Sequence, residues 1–265
     1  MKITYLVDEK TTIKLFIYNK ISRNFYGFLK EHNAIYYVNN VMKKSYDEIL
    51  INDTLEILYE EDKLCDKISS NKPLDIRYED EYYIVLNKEA HLQTIPSKAN
   101  PYDSIYNRLV HYFKDTNNTI HIVNRLDKET QGLILICKSN YARAILKEFD
   151  KIYYAKTNIK LPNNMGVINL PIKRVEGIKR WVMSNGDKAI TNYRLIDEKD
   201  NLFTYEIKLE TGRTHQIRVH FSYLGSPLIN DTLYGGANID SNLGLICGHI
   251  EFYHPILNKK IIINL

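Results

Sequence analysis

The stretch that most constrains the fold is residues 122–139, which read I-V-N-R-L-D-K-E-T-Q-G-L-I-L-I-C-K-S. Its apolar ends predict buried β-strands, and between them lies a short polar cluster that contains Arg125 and Asp127. Connections at the ends of buried strands often carry functional groups. Side chains two positions apart on an extended chain face the same side, which predicts that these two share a face. A catalytic carboxylate is one interpretation; a structural ion pair in an Asp-x-x-Thr turn is the more ordinary one.

The chain of 265 residues is long enough for one large domain and a small one. Its three cysteines (Cys65, Cys137 and Cys247) lie far apart without a C-x-x-C pair, so neither a disulfide framework nor a zinc knuckle is predicted. Cys137 and Cys247 lie within apolar runs and are predicted to be buried thiols. No apolar run approaches the roughly 20 residues that span a bilayer, and the N-terminus lacks a signal-peptide core. We therefore expect a soluble, cytoplasmic protein.

The net charge of +4 is distributed unevenly along the chain. Residues 1–64 contain 9 Lys and Arg against 10 Asp and Glu, whereas residues 120–225 contain 18 against 11. The positive surplus therefore lies in the same part of the chain as the polar cluster. It fits a polyanionic partner such as nucleic acid. A solvated basic face would give the same count, so charge alone does not decide between the two.

Residues 1–61 have the pattern of a small α/β module. Apolar spacing and turn residues predict, in order, two short helices, a hairpin and a strand, at residues 13–17, 25–29, 35–41 and 55–59. This order resembles the S-four type of RNA-binding domain. The resemblance implies RNA contacts at Lys14, Arg23 and Lys30. The segment is nearly neutral, whereas that domain usually presents several basic residues, so a degenerate module without an RNA-binding role stays open.

The remaining chain is predicted to form one larger domain. Residues 62–73 are polar and rich in structure-breaking residues, which predicts a linker. In residues 74–265 short apolar strands outnumber the amphipathic helices, which are predicted at residues 102–113, 140–149 and 214–224. This pattern, without regular βαβ alternation, predicts an α+β fold built on a mixed, mainly antiparallel sheet with flanking helices.

Several motifs of this larger segment resemble those of the RluA-type RNA pseudouridine synthases. Residues 124–136, N-R-L-D-K-E-T-Q-G-L-I-L-I, are similar to the family signature H-R-L-D-x-x-T-S-G-L. Further matches follow in the family's order: Lys151-x-Tyr153-x-Ala155, L-E-T-G-R-T-H-Q-I-R-V-H at residues 209–220, Asp231-x-x-Tyr234-Gly235 and F-Y-H-P at residues 252–255. A single R-L-D would be a weak signal, but several motifs in order are specific. The resemblance covers about residues 74–262 and predicts a pseudouridine synthase catalytic domain.

The resemblance implies a cofactor-free isomerisation of a uridine in RNA. The N1–C1′ bond breaks, the base turns in its pocket, and C5 joins C1′. Asp127 would be the essential carboxylate, as nucleophile or as base at the sugar, with Arg218 as its basic partner. Tyr153 would stack on the base and serve proton transfer at C5. Arg125 would fill the space that the flipped uridine leaves in the RNA.

The same resemblance implies further substrate contacts, at Arg213, His215, Gln216 and Ile246. Either Ile246 or its neighbour Leu245 would form an apolar wall beneath the base. The expected substrate is ribosomal RNA of the large subunit or transfer RNA, and a monomer without metal or membrane attachment is the expected form.

The sequence departs from the family pattern beside the predicted catalytic loop. Asn124 stands where the family usually has His, and Gln131 where it usually has Ser. Ile246 falls where the late motif often has His. None of these changes removes Asp127, so the chemistry is expected to survive. They leave open which RNA is modified and how the flipped base is held.

Two other function classes compete with the enzyme. The first is a ribosome-assembly or RNA-binding factor that keeps the fold but has lost turnover; the intact Asp127, Tyr153 and Arg218 speak against it. The second is a metal-dependent phosphoesterase. Asp231 and several histidines could be imagined as ligands, but their spacing matches no known zinc or iron motif, and a helical pair five residues apart, such as His215 and His220, does not share a face.

Overall fold

The computed structural model describes residues 1–64, 67–175, 177–239 and 241–265. Its buried apolar residues form one small core in the N-terminal module and one large core in the remainder, with a third, smaller cluster beside the last helix. Cys137 and Cys247 are both buried as free thiols, as predicted. Cys65 lies outside the described residues. Among the described residues, no helix is long and apolar enough to cross a bilayer.

The N-terminal module is a four-stranded antiparallel sheet, of strand order β1-β6-β3-β4, covered by two helices. Side-chain hydroxyls begin both helices: Thr12 accepts a hydrogen bond from the amide of Leu15, and Ser22 accepts one from Phe25. The elements are β1 (Lys2–Leu6), β2 (Thr11–Thr12), α1 (Ile13–Lys20), α2 (Arg23–Glu31), β3 (Ile35–Val38), β4 (Val41–Lys43), β5 (Glu48–Ile49) and β6 (Thr54–Leu58). The two predicted helices, the hairpin and the strand are all present.

The hairpin between β3 and β4 turns where the sequence predicts it. Asn39 and Asn40 have φ angles of 50° and 66°, a left-handed conformation that asparagine tolerates better than most residues. The side chain of Asn39 also joins the turn to the loop before β6, since its amide donates to Asp53 at 2.7 Å. The turn therefore sets the register of the module's sheet.

The larger domain is built on a ten-stranded sheet, of order β12-β15-β16-β11-β17-β10-β8-β7, with β18 paired to β17 and β9 to β10. Its elements are β7 (Ile76–Glu79), β8 (Tyr83–Lys88), α3 (Ile105–Tyr112), β9 (His121–Ile122), β10 (Gln131–Cys137), α4 (Asn140–Ile145), β11 (Lys147–Thr157), β12 (Met165–Asn169), β13 (Ile172–Arg174), β14 (Arg180–Val182), β15 (Ile190–Lys199), β16 (Leu202–Leu209), α5 (Gln216–Tyr223), β17 (Leu245–His254) and β18 (Lys259–Asn264). Among the strands of the described residues, only β10 and β17 pair in parallel. The predicted α+β fold on a mixed, mainly antiparallel sheet is confirmed.

The parallel contact between β10 and β17 depends on Gly132. This residue has a φ of +117°, and a Cβ atom there would lie 2.3 Å from the carbonyl oxygen of Cys247. Only glycine fits both the backbone angle and the close approach. Strand β10 thereby begins directly after the polar loop of residues 123–130 and holds that loop at the edge of the buried sheet.

The helix predicted at residues 140–149 is wrong in its second half. Helix α4 begins after the Ser139 cap, as predicted, but it ends at Ile145. From Lys147 the chain is extended, because Lys147 pairs with Tyr253 of β17. The apolar spacing of this segment is compatible with a helix, but hydrogen bonding to the central sheet prevails over local pattern.

The segment predicted as a linker carries no helix or strand in its described part, yet it is bound to the larger domain. The amide of Ser70 donates to the carbonyl of Asn107 at 3.0 Å, and the Asn107 side chain donates to the carbonyl of Ile68 at 2.8 Å. The N-terminal module also contacts α4 directly. Tyr141 and Ile145 belong to its core, and the hydroxyls of Tyr5 and Tyr141 are 2.9 Å apart.

Candidate active site

A cavity of about 580 Å³ opens where the polar loop of residues 123–130 meets the start of α5. Its lining comes from four parts of the chain: residues 93–97, the polar loop, the middle of β11 and residues 212–218, with Leu209 from β16 and Leu245 from β17. Asp127 lies in this lining together with Tyr153 and Arg218. Residues about 90 positions apart in the sequence thus contribute to one concave surface of a size that suits a nucleotide.

The loop that carries Asp127 is held by hydrogen bonds on both sides. The amide of Thr130 donates to the Asp127 carbonyl at 3.1 Å, which forms the predicted Asp-x-x-Thr turn. Before the turn, the hydroxyl of Thr94 donates to the Leu126 carbonyl at 2.8 Å and accepts from the Leu126 amide at 3.1 Å. The backbone on either side of Asp127 is therefore fixed, which presents its side chain to the cavity.

Asn124, one of the departures from the family pattern, has a structural role. It is buried; its side-chain nitrogen donates to the Leu133 carbonyl at 3.1 Å, and its oxygen accepts from the Leu135 amide at 2.9 Å. Asn124 thus pairs with β10 as a neighbouring strand would. Gln131, a second departure, lines another cavity rather than this one.

Lys88 is a buried cation whose hydrogen bonds connect the Asp127 loop to the segment after β8. Its ammonium group donates to the carbonyls of Glu89, Leu92 and Lys128, at 2.9, 2.7 and 3.1 Å. Burial lowers the pKa of Lys88 to about 8, although the negative charge of Asp127 opposes the shift. Sequence reasoning did not assign this residue to the site. The sequence contains an indication of its burial, since Lys88 ends the apolar strand Y-Y-I-V-L-N-K at a position where the alternation of side chains predicts an inward orientation.

Arg218 is the predicted partner of Asp127, and the structure brings the two together. Its Nη1 lies 3.7 Å from the Asp127 carboxylate, whose side chain is 27% exposed. The closer partner is Asp231, which accepts from Nε and Nη2 of Arg218 at 2.8 Å each in a fully buried pair. Burial alone would lower the pKa of Arg218, but the bonds to Asp231 raise it above its ordinary value. Asp231 therefore fixes the guanidinium and leaves its third nitrogen facing Asp127.

His215 also faces Asp127, with its Nε2 3.8 Å from the carboxylate. It precedes α5 with a φ of 58°, a left-handed conformation in which histidine is enriched, and its Nδ1 lies 2.9 Å from the hydroxyl of Tyr234. Burial lowers the pKa of His215, and the positive charges of Arg218 and Arg180 act in the same direction against Asp127 and Asp231. The imidazole is therefore neutral around pH 7.

Tyr153 lines the cavity from β11 and is 5% exposed. Burial raises the pKa of Tyr153 well above its ordinary value, and the nearby Cys247 and Asp127 add to the shift, so its hydroxyl is protonated around pH 7. Lys151 lies on the same face of the strand, two residues earlier, with its ammonium 5.4 Å from the centre of the Tyr153 ring. Burial lowers the pKa of Lys151. A flat aromatic wall beside an amine could take a nucleobase.

Two of the predicted substrate contacts, Ile246 and Gln216, differ from the others in how they relate to the cavity. Ile246 is not among the described residues that line the cavity; its neighbour Leu245 is. Gln216 touches the cavity, but its amide is fully engaged: the oxygen accepts from Thr211 and from the Arg213 amide, and the nitrogen donates to Ile190 and Thr191. Gln216 therefore shapes the loop before α5 and has no free donor or acceptor for a substrate.

The two arginines predicted to contact RNA, Arg125 and Arg213, both lie at the exposed rim of the cavity. The Nε of Arg213 donates to the Lys188 carbonyl at 3.1 Å, which leaves the rest of its guanidinium available. Among the described residues, no group of three or more His, Cys, Asp or Glu side chains is arranged to hold a metal ion.

Comparison with known proteins decides the family. The family model for RNA pseudouridylate synthase matches residues 82–223, more than half of the chain. An uncharacterised RNA pseudouridine synthase of Bacillus subtilis is 36% identical over 220 residues, which cover 78% of each chain. Ribosomal large subunit pseudouridine synthase D of Buchnera aphidicola is 30% identical over 270 residues, 91% of this chain and 85% of that one. The chain belongs to the RNA pseudouridylate synthase family.

The fold agrees with that family. A solved human structure, RNA pseudouridylate synthase domain containing 1, aligns with a TM-score of 0.60 and 20% identity over 74% of this chain and 84% of its own. The enzyme class predicted from the motifs is confirmed: the chain is an RNA pseudouridine synthase, which isomerises uridine in RNA. Its relatives also support the resemblance to the RluA type.

The pseudouridine synthase presents a basic hairpin beside α5, the helix that begins at the cavity. Strands β13 and β14 form a separate two-stranded sheet. Trp181, the only tryptophan of the chain, is 48% exposed on β14, with the ammonium of Lys179 4.8 Å from its ring centre. Lys173 and Arg174 are exposed on β13. An exposed aromatic ring among cations is the composition that binds single-stranded nucleic acid.

The N-terminal module of the synthase exposes the three predicted basic residues, Lys14, Arg23 and Lys30. The ammonium of Lys14 lies 5.5 Å from the ring centre of Tyr18, and the guanidinium of Arg23 lies 5.7 Å from the same ring. Two of the three cations are thus grouped around one aromatic ring on the helical face of the module.

Proposed function

We propose that this pseudouridine synthase modifies uridine in structured ribosomal RNA of the large subunit, with Asp127 as its catalytic carboxylate. The observation that carries the proposal is the cavity in which Asp127 lies beside Arg218 and shares the lining with Tyr153. Conversion of uridine to pseudouridine needs no net addition or loss of atoms. The reaction therefore consumes no co-substrate, and this cavity supplies a carboxylate, a fixed cation and an aromatic wall for it.

The roles follow from the chemistry of these groups. The carboxylate of Asp127 acts at the sugar, as nucleophile at C1′ or as base, while the N1–C1′ bond breaks. The guanidinium of Arg218, held by Asp231, attracts the negative charge of Asp127 and keeps it in place. The freed base turns against the ring of Tyr153, C5 bonds to C1′, the proton on C5 leaves, and N1 takes up a proton.

The base must leave the RNA to reach this cavity. Arg125 lies at the exposed rim and has the length and charge to fill the space that the flipped uridine vacates. The exposed Arg213 and the hairpin with Trp181 are suited to hold the flanking strand, by charge and by stacking respectively.

The N-terminal module is proposed to be a degenerate S-four-like domain that binds RNA weakly through Lys14, Arg23 and Lys30. The exposure of all three side chains supports this assignment. Neutralising them together, as Lys14→Gln, Arg23→Gln and Lys30→Gln, should lower the slope of log Kd against log salt by about 2 to 3. An unchanged slope would restrict RNA binding to the catalytic domain. A cytoplasmic, monomeric state stays a prediction.

The substrate class rests on relatives whose names specify the large ribosomal subunit. Transfer RNA is the alternative. Pseudouridine mapping in total RNA from a deletion strain and its parent separates the two, since lost sites in large-subunit RNA support the proposal and lost sites in transfer RNA alone refute that substrate.

The catalytic assignment is tested with purified enzyme and RNA labelled with tritium at C5 of uridine. Asp127→Asn should abolish tritium release while RNA binding and unfolding temperature stay within error of the wild type. Asp115→Asn, at a carboxylate whose side chain is 86% exposed, is the matched control and should be fully active. Release by Asp127→Asn would refute the role of this carboxylate. Absence of release by the wild type on every RNA of the deletion strain would favour an inactive RNA-binding factor.

A further inference from the structure

The hydroxyl of Tyr234 connects the basic hairpin to the catalytic cavity. It lies 2.9 Å from the backbone amide of Arg180, the first residue of β14, and 2.9 Å from Nδ1 of His215. A backbone amide can only donate, so the Tyr234 oxygen accepts from Arg180. Burial raises the pKa of Tyr234, so the hydroxyl keeps its own proton, which is then available to His215.

The hydrogen bond from the Tyr234 hydroxyl determines which nitrogen of the His215 imidazole carries the proton. A neutral histidine carries one proton, and the nitrogen without it accepts a hydrogen bond. If Nδ1 accepts from Tyr234, the proton resides on Nε2, which lies 3.8 Å from the Asp127 carboxylate. The opposite tautomer would direct the lone pair of Nε2 at a negatively charged oxygen. Both neighbours of the ring therefore favour the same tautomer.

The charged groups around the ring agree with this arrangement. Asp127 and Asp231 attract a positive or partly positive edge of the imidazole, whereas Arg218 and Arg180 disfavour its full protonation. The guanidinium of Arg218 also lies 5.2 Å from the centre of the Tyr234 ring, so Tyr234 contacts both groups that face the carboxylate.

We propose that Tyr234 is a positioning residue that holds His215 in the Nε2-protonated tautomer, with its N–H facing Asp127. The effect of this tautomer on turnover rests on the proposed catalytic role of Asp127. The assignment of the tautomer does not depend on that role. The link to the hairpin comes from the backbone amide of Arg180, which orients the Tyr234 hydroxyl.

The test is a two-bond ¹H–¹⁵N correlation spectrum of the full chain labelled with ¹⁵N-histidine, in which the two nitrogens of each ring report its tautomer. The His215 signals are assigned by their loss in His215→Gln. We expect the Nε2-protonated form in the wild type and a mixture of tautomers in Tyr234→Phe. Tyr223→Phe, at a tyrosine that is 60% exposed at the end of α5, is the matched control and should leave the signals unchanged.

An Nδ1-protonated or doubly protonated His215 in the wild type at pH 7 would overturn the proposal, as would an unchanged tautomer in a folded Tyr234→Phe. If that variant does not fold, the wild-type spectrum decides alone. In the tritium assay Tyr234→Phe should lower kcat by about two- to tenfold with KM unchanged, the effect of one lost hydrogen bond. If Asp127→Asn proves active, the catalytic assignment fails, and the spectrum still tests the tautomer independently.

Discussion

The buried pair of Arg218 and Asp231 gives the sharpest stability prediction. Asp231→Asn keeps the shape of the side chain but removes its charge, and it replaces one acceptor by an NH₂ group that meets the N–H donors of Arg218. The guanidinium, itself 5% exposed, is then left with Asp127 at 3.7 Å as its nearest carboxylate.

The size of the effect follows from the two bonds that change. Each charge-assisted bond of 2.8 Å contributes about 1.5–3 kcal/mol, and breaking a buried ion pair by removing one partner costs about 3–5 kcal/mol. We therefore expect Asp231→Asn to lower the free energy of unfolding by about 3–5 kcal/mol. For a domain of this size that corresponds to a Tm decrease on the order of 10 °C.

Urea denaturation followed by tryptophan fluorescence and circular dichroism measures this change. The matched control is Asp150→Asn, which removes the carboxylate of an exposed pair with Lys208 and should change stability by about 0–1 kcal/mol. The double variant Arg218→Met with Asp231→Leu removes both buried charges. It should regain the lost stability to within about 1 kcal/mol, yet release no tritium because the cation beside Asp127 is gone.

The reasoning is refuted if Asp231→Asn is no more destabilising than Asp150→Asn. It is also refuted in its catalytic part if the double variant is active, because a fixed guanidinium would then be unnecessary for the reaction.

Three further predictions concern the loop, the strand contact and the hairpin. Burial lowers the pKa of Lys88 to about 8, so between pH 8 and 10 the unfolded protein binds more protons than the folded protein. The free energy of unfolding of the wild type should therefore rise over this range, relative to that of Lys88→Met, by on the order of 2 kcal/mol. The same pH dependence in both proteins would contradict a buried, charged Lys88. Gly132→Ala would place Cβ 2.3 Å from the Cys247 carbonyl at a φ of +117° and should destabilise by about 3 kcal/mol or more, with a loss below about 1 kcal/mol speaking against the tight β10–β17 contact. Trp181→Ala should weaken RNA binding by about 1–3 kcal/mol while stability stays within about 0.5 kcal/mol, and an unchanged Kd would remove stacking from the hairpin's role.

The local pattern of the polar stretch predicted much of the site. The apolar run after the turn is the buried strand β10, as predicted, whereas the strand before it, β9, is only two residues long and half-buried. The motif order then predicted that Arg218 and Asp127 meet, and their separation of 3.7 Å agrees. The motifs include Asp231, but they did not predict that it is the closer partner of Arg218. The loop that carries Asp231 reaches Arg218 only through tertiary packing.

Strand pairing limits what the local sequence pattern can predict at two places in the large domain. Residues 147–149 have helical spacing, but Lys147 pairs with Tyr253 of β17, and no local signal reports a partner about 100 residues away. Ile246 and Leu245 are neighbours on β17 and face opposite sides of the sheet, and Leu245 is the one that lines the cavity. The register of β11 against β17 also shifts between Ile152 and Tyr153. Because of this irregularity, the side chains of β17 that face the cavity cannot be inferred from the alternation of side chains along β11.

The departures from the family pattern bear on where substrate choice resides. Asn124 satisfies both of its amide groups on the backbone of β10, and Gln131 lies outside the catalytic cavity. The side-chain amides of Asn124 and Gln216 are thus both engaged within the protein. The groups that we propose to contact the RNA lie at the rim and beyond it: Arg125, the hairpin with Trp181 and the basic face of the N-terminal module. Exchanging rim residues should consequently redirect the enzyme among RNA sites while the tritium release per bound uridine stays unchanged, and a fall in release at an unaltered set of sites would argue that specificity resides in the cavity after all.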